Sequence, residues 1–560
     1  MTIRIQLIIL SIIFSSINAL HSQSIPDSTK KKIDKLFSKW DSKDSPGCTI
    51  GIVRNDSLIY AKGYGMANLE YGIPNTPTTI FHIASLSKQF TAYCIVLLAR
   101  QGKLDLNDDV RKYLTWFPDL HEKITIRNLL NHTSGIRDQW QLLAISGTRL
   151  DDVITQEQII KILSKQQSLN FKPNEQATYS NSGYTMLAEI VKSVSGKSLR
   201  EFADSAIFKP LKMTNTCFHD EYTEIVKNRS YSYSRKDSIT FSNSILSYST
   251  VGPTSLFTNI DDMSKWVINF YDTKAGDKKD IEQLTGLKAK LNNGTQLDYA
   301  LGIINGNYRG HPSYAHSGGD AGYRTLDVIF PDSKMGFILF SNLDDFDVDA
   351  NLYPVADFFL KDISKKTIDK KSAKVDSTKA ILKNPLPYEK FVGSYIDEQG
   401  IKFSFSINNN KIYWHSYGRT RLMKANKDTI FKVEDPTVKF AFKVNSVTDT
   451  VLTQSWPNNQ RILHKYIDIK FSDEQLQNYV GTYYSPELDC RYSIVLRNHE
   501  LFLTNDKYSD SKIQLEGADH LFNDNWWMDH LQIIRNSKNQ IDGFEINSNR
   551  VQHLLFNKIE

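Results

Sequence analysis

The chain opens on an apolar stretch. Arg4 gives a basic start, Leu7 to Leu20 is mainly apolar, and small or polar residues follow. This reads as a secretory signal peptide over residues 1–22, because the run falls short of the roughly 20 apolar residues a membrane-spanning helix needs. Residues 31–40 then carry an amphipathic helical pattern. Residues 48–53 and 57–66 alternate or run apolar around Arg54-Asn55-Asp56, which predicts a hairpin. Phe90 to Arg100 is apolar almost throughout, as expected of a buried helix. Helical periodicity recurs over residues 124–130, 155–166, 184–194, 261–270 and 352–360. Two strand-like runs, 323–328 and 334–341, flank the turn Pro331-Asp332-Ser333.

The pattern changes after residue 363. Residues 364–384, rich in Lys and Ser, read as a linker. Short alternating strands separated by turn residues follow, as in residues 401–416 and 492–504. A weak repeat, Phe391-Val392-Gly393-Ser394-Tyr395 and Tyr479-Val480-Gly481-Thr482-Tyr483, opens each half of this region. It predicts two similar antiparallel barrel-like modules, 385–470 and 471–560, behind a larger domain over 23–363. Aromatics there, such as Trp414, Trp526 and Trp527, are expected mainly in cores. The fold class is α+β followed by all-β modules.

Composition adds limits. A length of 560 residues implies roughly two to four domains. A net charge of +5, spread along the chain, gives no nucleic-acid signature. The four cysteines, Cys48, Cys94, Cys217 and Cys490, are far apart and make no disulfide framework. Metal-ligand spacings are absent, so no metal or organic cofactor is expected. No later segment is long and apolar enough to span a membrane, and the oligomeric state stays open.

Three segments carry candidate chemistry. The first is Phe81-His82-Ile83-Ala84-Ser85-Leu86-Ser87-Lys88, directly before the buried helix. Ser85 and Lys88 are one helical turn apart, so they share a face. The helix start favours negative charge developing at Ser85, and a desolvated Lys88 can take its proton. On spacing alone this also fits a capping Ser beside a surface Lys. The second segment is Tyr179-Ser180-Asn181. Tyr179 can pass a proton to a leaving group and Asn181 can hold Lys88, although these residues also suit a helix cap. The third is His316-Ser317-Gly318-Gly319. A backbone N–H there, with that of Ser85, can form an oxyanion hole, and the same residues also suit a plain glycine turn.

Taken in this order, with Asn131-His132-Thr133-Ser134-Gly135 and Val251-Gly252-Pro253-Thr254-Ser255 between them, the segments resemble the serine β-lactamase and penicillin-binding-protein superfamily. The resemblance is to its class C branch of DD-peptidases, D-aminopeptidases and esterases, and it covers residues 28–362. It implies an antiparallel sheet flanked by helices with a helical lobe at the side. It also implies Ser85 as acylated nucleophile, Lys88 as its proton partner, and Tyr179 and Asn181 at the second motif. Gly319 would supply the second oxyanion-hole N–H, and Ser317 and Gly318 would border the substrate. His316 stands where β-lactamases usually carry a Lys that binds a carboxylate. Arg324 is the candidate replacement charge. The implied activity is hydrolysis of an amide or ester, of D-amino-acid peptides or small esters, by an exported enzyme in the periplasm or outside the cell. Weak penicillin hydrolysis and a non-catalytic binding role are the alternatives. The C-terminal modules resemble the barrel and lipocalin-like domains of related multidomain proteins.

Overall fold

The computed structural model describes residues 25–363 and 388–559, apart from 398–401, 410, 417–418, 428–429, 433–437, 446–449, 457–458 and 467–469. The signal-like residues 1–22 and the whole linker, 364–384, lie outside the described residues.

Six antiparallel strands form the central sheet. They are β1 (Cys48–Arg54), β2 (Ser57–Tyr64), β3 (Ile304–Tyr308), β4 (His311–Asp320), β5 (Tyr323–Phe330) and β6 (Met335–Ser341). Their order is β3-β4-β5-β6-β1-β2. The two hairpins read from sequence therefore join through β1 and β6, pairing Cys48 with Ser341 and Arg54 with Met335. Helices cover both faces, so the central strands are apolar on both sides instead of alternating. In β6, Phe337 and Leu339 enter a core shared with α1 (Asp27–Phe37), while Ile338 and Phe340 enter the core on the opposite face. The latter holds α2 (Ser87–Arg100), α3 (Asn181–Ser195) and α4 (Ile260–Asn269). In α2 every residue from Ser87 to Leu98 is buried. A last helix, α5 (Val348–Ala356), packs beside α1.

For the third candidate segment the structure rules out one of the two sequence readings, the glycine turn. His316 to Gly319 is no turn ahead of a strand: it lies within β4, and Gly319 pairs with Arg324 of β5. Two glycines and a Ser in sequence hid a strand that needs them for close approach.

Apart from a 3₁₀ turn, Tyr388–Lys390, and a short helix, Asp473–Gln477, the described elements after the linker are antiparallel strands, and the two halves differ. The first is a nine-stranded sheet whose end strands, Arg419–Leu422 and Lys424–Lys427, are consecutive in the chain. The second is a closed eight-stranded barrel ending in β7 (Ile541–Ser548) and β8 (Val551–Lys558). The repeat has a shared structural job: Tyr395 donates to the Phe391 carbonyl at 3.1 Å, and Tyr483 to the Tyr479 carbonyl at 2.7 Å. Trp414 is in the core of the first half, Trp527 packs partly against that of the barrel, and Trp526 is exposed. All four cysteines are free, with Cys48 and Cys94 buried. Among the described residues no helix is long and apolar enough to cross a membrane.

The barrel is not a bead on a string. Its buried apolar side chains are continuous with those of a helical lobe that includes the helices Ile126–Leu130 and Gln139–Ile145, whereas the nine-stranded half has its own cluster. Tyr492 donates to the Ile145 carbonyl at 2.9 Å, and Arg137, fully buried, pairs with Glu487 of the barrel at 3.0 Å.

Candidate active site

Ser85 sits in a single 3₁₀ turn, Ala84–Leu86, that leads into α2. Ala84 adopts a left-handed φ of 49°, a conformation that costs a residue with a Cβ about 1 kcal/mol. The surroundings hold it there. The Ser87 hydroxyl donates to the Ala84 carbonyl at 2.6 Å, the Ile83 N–H to the Leu256 carbonyl at 2.9 Å, and Thr325 of β5 to the Ile83 carbonyl at 2.9 Å. The turn is thus tied to the strand edge where His316 to Gly319 lie.

Lys88 is buried one turn on. Its Nζ is 3.1 Å from Ser85 Oγ, 2.9 Å from Asn181 Oδ1 and 2.8 Å from the Pro253 carbonyl. The Asn181 amide has only one sensible orientation, because its Nδ2 donates to Asp138 Oδ2 at 2.8 Å. Two partners of Lys88 are therefore oxygens that only accept. A neutral amine spends both N–H bonds on them, and its lone pair is left facing the Ser85 hydroxyl. Burial pushes the Lys88 ammonium well below the ordinary lysine range; Asp138 opposes this shift and Arg550 adds to it.

Tyr179 stands across from Ser85, its ring 4.7 Å from Lys88 Nζ. Burial holds its phenol above the usual range, with the Ser85 hydroxyl acting in the opposite direction, so the O–H keeps its proton. Asn181 opens α3. Ser180, at the cap position, makes no side-chain cap bond; the Asn181 N–H is met instead by Asp138 Oδ2 at 2.8 Å.

His316 is buried, and that pushes its imidazolium down to about 3, so the ring is neutral near pH 7. Its Nδ1 faces the Ser317 carbonyl at 2.6 Å and must carry the proton. Nε2 then accepts from the Tyr299 hydroxyl at 3.1 Å, and Tyr299 in turn accepts from His132 Nε2 at 3.1 Å. His132 Nδ1 is left to accept from the Ser180 N–H at 3.2 Å. One assignment of protons satisfies the whole chain. Ser317 and Gly319 face outward from β4 and Gly318 inward. A Cβ on Gly318 would lie 2.6 Å from the Ile83 carbonyl oxygen and 3.0 Å from the Ser85 nitrogen. Arg324, opposite Gly319, donates to the carbonyls of Ala321 and Tyr323 at 3.0 and 2.7 Å. Among the described residues no cluster of His, Cys, Asp or Glu could hold a metal ion.

The family model described as Beta-lactamase matches residues 33–358. The chain belongs to the beta-lactamase family. Penicillin-binding protein 4* of Bacillus subtilis (strain 168) is 28% identical over 412 residues, covering 70% of this chain and 89% of that protein. A D-aminopeptidase of Brucella anthropi is 27% identical over 307 residues, covering 53% of this chain and 56% of the other. The octameric penicillin-binding protein homologue from Pyrococcus abyssi superposes with a TM-score of 0.54 at 22% identity, covering 78% of this chain and 99% of its own, a likeness of fold. The chain is a serine hydrolase of this superfamily.

Within this beta-lactamase-family site, the structure brings Ser85, Lys88, Tyr179 and Asn181 together and sets the His316 segment against them. It also adds residues that sequence reasoning gave no role. His132 and Tyr299 fix His316, and Asp138 fixes Asn181. Asp138 lies only three residues beyond the segment 131–135, and a carboxylate there was the one readable signal. Arg550, from the barrel, stands 4.9 Å from the Tyr179 ring and 3.7 Å from Asp138, and nothing local in its sequence marks it.

Proposed function

We propose that this enzyme cleaves an amide or ester through an acyl-enzyme on Ser85. The observation that carries the reading is the Lys88 environment: two carbonyl acceptors and one hydroxyl, in a site that disfavours the ammonium. Neutral Lys88 takes the Ser85 proton as Oγ attacks the substrate carbonyl carbon. The N–H groups of Ser85 and Gly319 receive the developing oxyanion, with Ser317 and Gly318 bordering the acyl chain. Collapse breaks the bond to the leaving group, which takes a proton from the Tyr179 hydroxyl while Lys88 passes the proton it took from Ser85 to the Tyr179 oxygen. Water then attacks the ester carbon and gives a proton to Lys88, and the acid leaves as that proton returns to Ser85 Oγ. His316, being neutral, orients the edge of β4 and supplies no charge; Arg324 rims the cleft beside Gly319. The similarity to a D-aminopeptidase and a penicillin-binding protein supports D-amino-acid peptides of the peptidoglycan type as substrates, with small esters ranked level with them. The signal-like residues 1–22 support export.

A fluorescent fluorophosphonate tests the covalent step. Native protein should be labelled and Ser85→Ala should not; equal labelling of both, or none of either, overturns the mechanism. Turnover of D-alanyl peptides, p-nitrophenyl esters and nitrocefin then ranks the substrates, and nitrocefin hydrolysed fastest would contradict the use made of His316.

A further inference from the structure

We propose that Arg550, carried on the barrel's last hairpin turn, is a substrate-binding residue that selects leaving groups bearing a carboxylate. This rests on the acyl-enzyme reading above.

The turn is built to deliver that side chain. Ser548 of β7 pairs with Val551 of β8, which leaves Asn549 and Arg550 as a two-residue tip. Asn549 takes the left-handed φ such a turn requires, 48°. A register shift between Ile546 and Ser548 bends the hairpin just before the tip, the usual means by which a strand re-aims a side chain. The backbone of the tip is bound to the helical lobe. The Arg550 N–H donates to Gln141 Oε1 at 2.9 Å, and its carbonyl accepts from Asn170 Nδ2 at 2.8 Å and from the Asp138 N–H at 3.3 Å. Buried Arg137 donates to the carbonyls of Gln552 and His553 at 3.0 and 2.9 Å.

The Arg550 side chain takes no part in this. It is 37% exposed and extends over Tyr179, the residue that hands a proton to the leaving group. Among the described residues its one charge partner is Asp138, at 3.7 Å, beyond hydrogen-bond reach. Asp138 is already served: Oδ2 accepts two N–H bonds from Asn181, and Oδ1 accepts the Trp140 N–H. Among the described residues, none of the five guanidinium N–H groups has a hydrogen-bond acceptor. A planar fork with free donors, pinned by its own backbone at the leaving-group side of a nucleophile, suits a carboxylate. The other acid near the nucleophile, Asp320, accepts from the Thr254 hydroxyl at 2.8 Å and makes no ion pair with Arg550 among the described residues.

The test measures binding and not turnover. In Ser85→Ala protein, N-acetyl-D-alanyl-D-alanine and its C-terminal amide are titrated by calorimetry. The acid should bind at least tenfold more tightly than the amide. Adding Arg550→Gln should bring the two within about twofold, and Arg550→Lys should keep part of the preference by keeping the charge without the fork. Equal binding of acid and amide to Ser85→Ala, or a preference undiminished in both Arg550 variants, overturns the proposal. Fluorophosphonate labelling of the protein with Ser85 intact separates this outcome from a failure of the nucleophile assignment, since neither result depends on the other.

Discussion

Lys88 shows how one residue's neighbours set its chemistry. With two carbonyl oxygens and a hydroxyl around it, the neutral amine has one arrangement, and that arrangement is a base aimed at Ser85. Since the neutral form is the active one, kcat/KM should rise with pH through an acid limb lying well below the ordinary lysine range. Removing the nearby cation in Arg550→Gln should move that limb to higher pH, because Arg550 repels the ammonium. Gly318 is as constrained by space as Lys88 is by polarity: Gly318→Ala should lower kcat/KM about 100-fold, because the new methyl displaces the Ser85 N–H from the oxyanion site. Asp327, beneath His316, is a further case. Burial pushes its carboxyl up to about 7 from 3.8, with Gln89 and the His316 N–H opposing. A raised carboxyl favours the folded state while protonated. Its contribution is fully present below about pH 4 and is lost as the pH rises through about 7. Asp327→Asn should therefore flatten the pH dependence of Tm over that interval and raise Tm at pH 8.

At the scale of elements, the site is assembled from helix starts and a strand edge. α2 presents Ser85 and Lys88, and α3 presents Asn181, whose amide is turned by a carboxylate from another loop. Asp138→Ala should free that amide and cut kcat roughly tenfold to a hundredfold with a smaller change in KM, measured by steady-state kinetics on an amide substrate. Elements with strong periodicity were legible in the sequence. The buried α2 and the hairpins β1–β2 and β5–β6 lie where their apolar runs put them. α3 begins at Asn181, ahead of the expected start near Tyr184, because its first N–H is satisfied by Asp138, a partner 43 residues away that no local pattern records. His316 to Gly319 fitted both a glycine turn and a close-approach edge, because glycine in sequence carries no mark of whether it serves a bend or a close approach. Ser85, Lys88, Tyr179 and Asn181 were nameable from local spacing and family resemblance. Arg550 was not, since its role arises only from how the barrel docks.

At the scale of the whole molecule, the barrel and the helical lobe share one apolar core, and Arg137 and Glu487 meet inside that junction. Burial raises the Glu487 carboxyl despite Arg137, so desolvation offsets much of what the pair gains by attraction. Breaking it is another matter. Glu487→Ala leaves a buried guanidinium short of its acceptor and should cost about 3–5 kcal/mol, visible as a lower Tm and denaturation midpoint. Removing residues 471–560 should expose the apolar face under Leu142 and Ile145 and yield aggregating protein.

The docked hairpin also bears on timing. Ribosomes release the chain from Ser85 toward Arg550, so the nucleophile, its base and the strand edge emerge long before the turn that finishes the cleft. An unfinished chain holds the acylating groups without the residue that chooses what they act on. Selectivity is therefore acquired late, when β7 and β8 close the barrel, and a chain cut short by a frameshift or a protease would lose its discrimination along with the apolar cover that keeps it in solution.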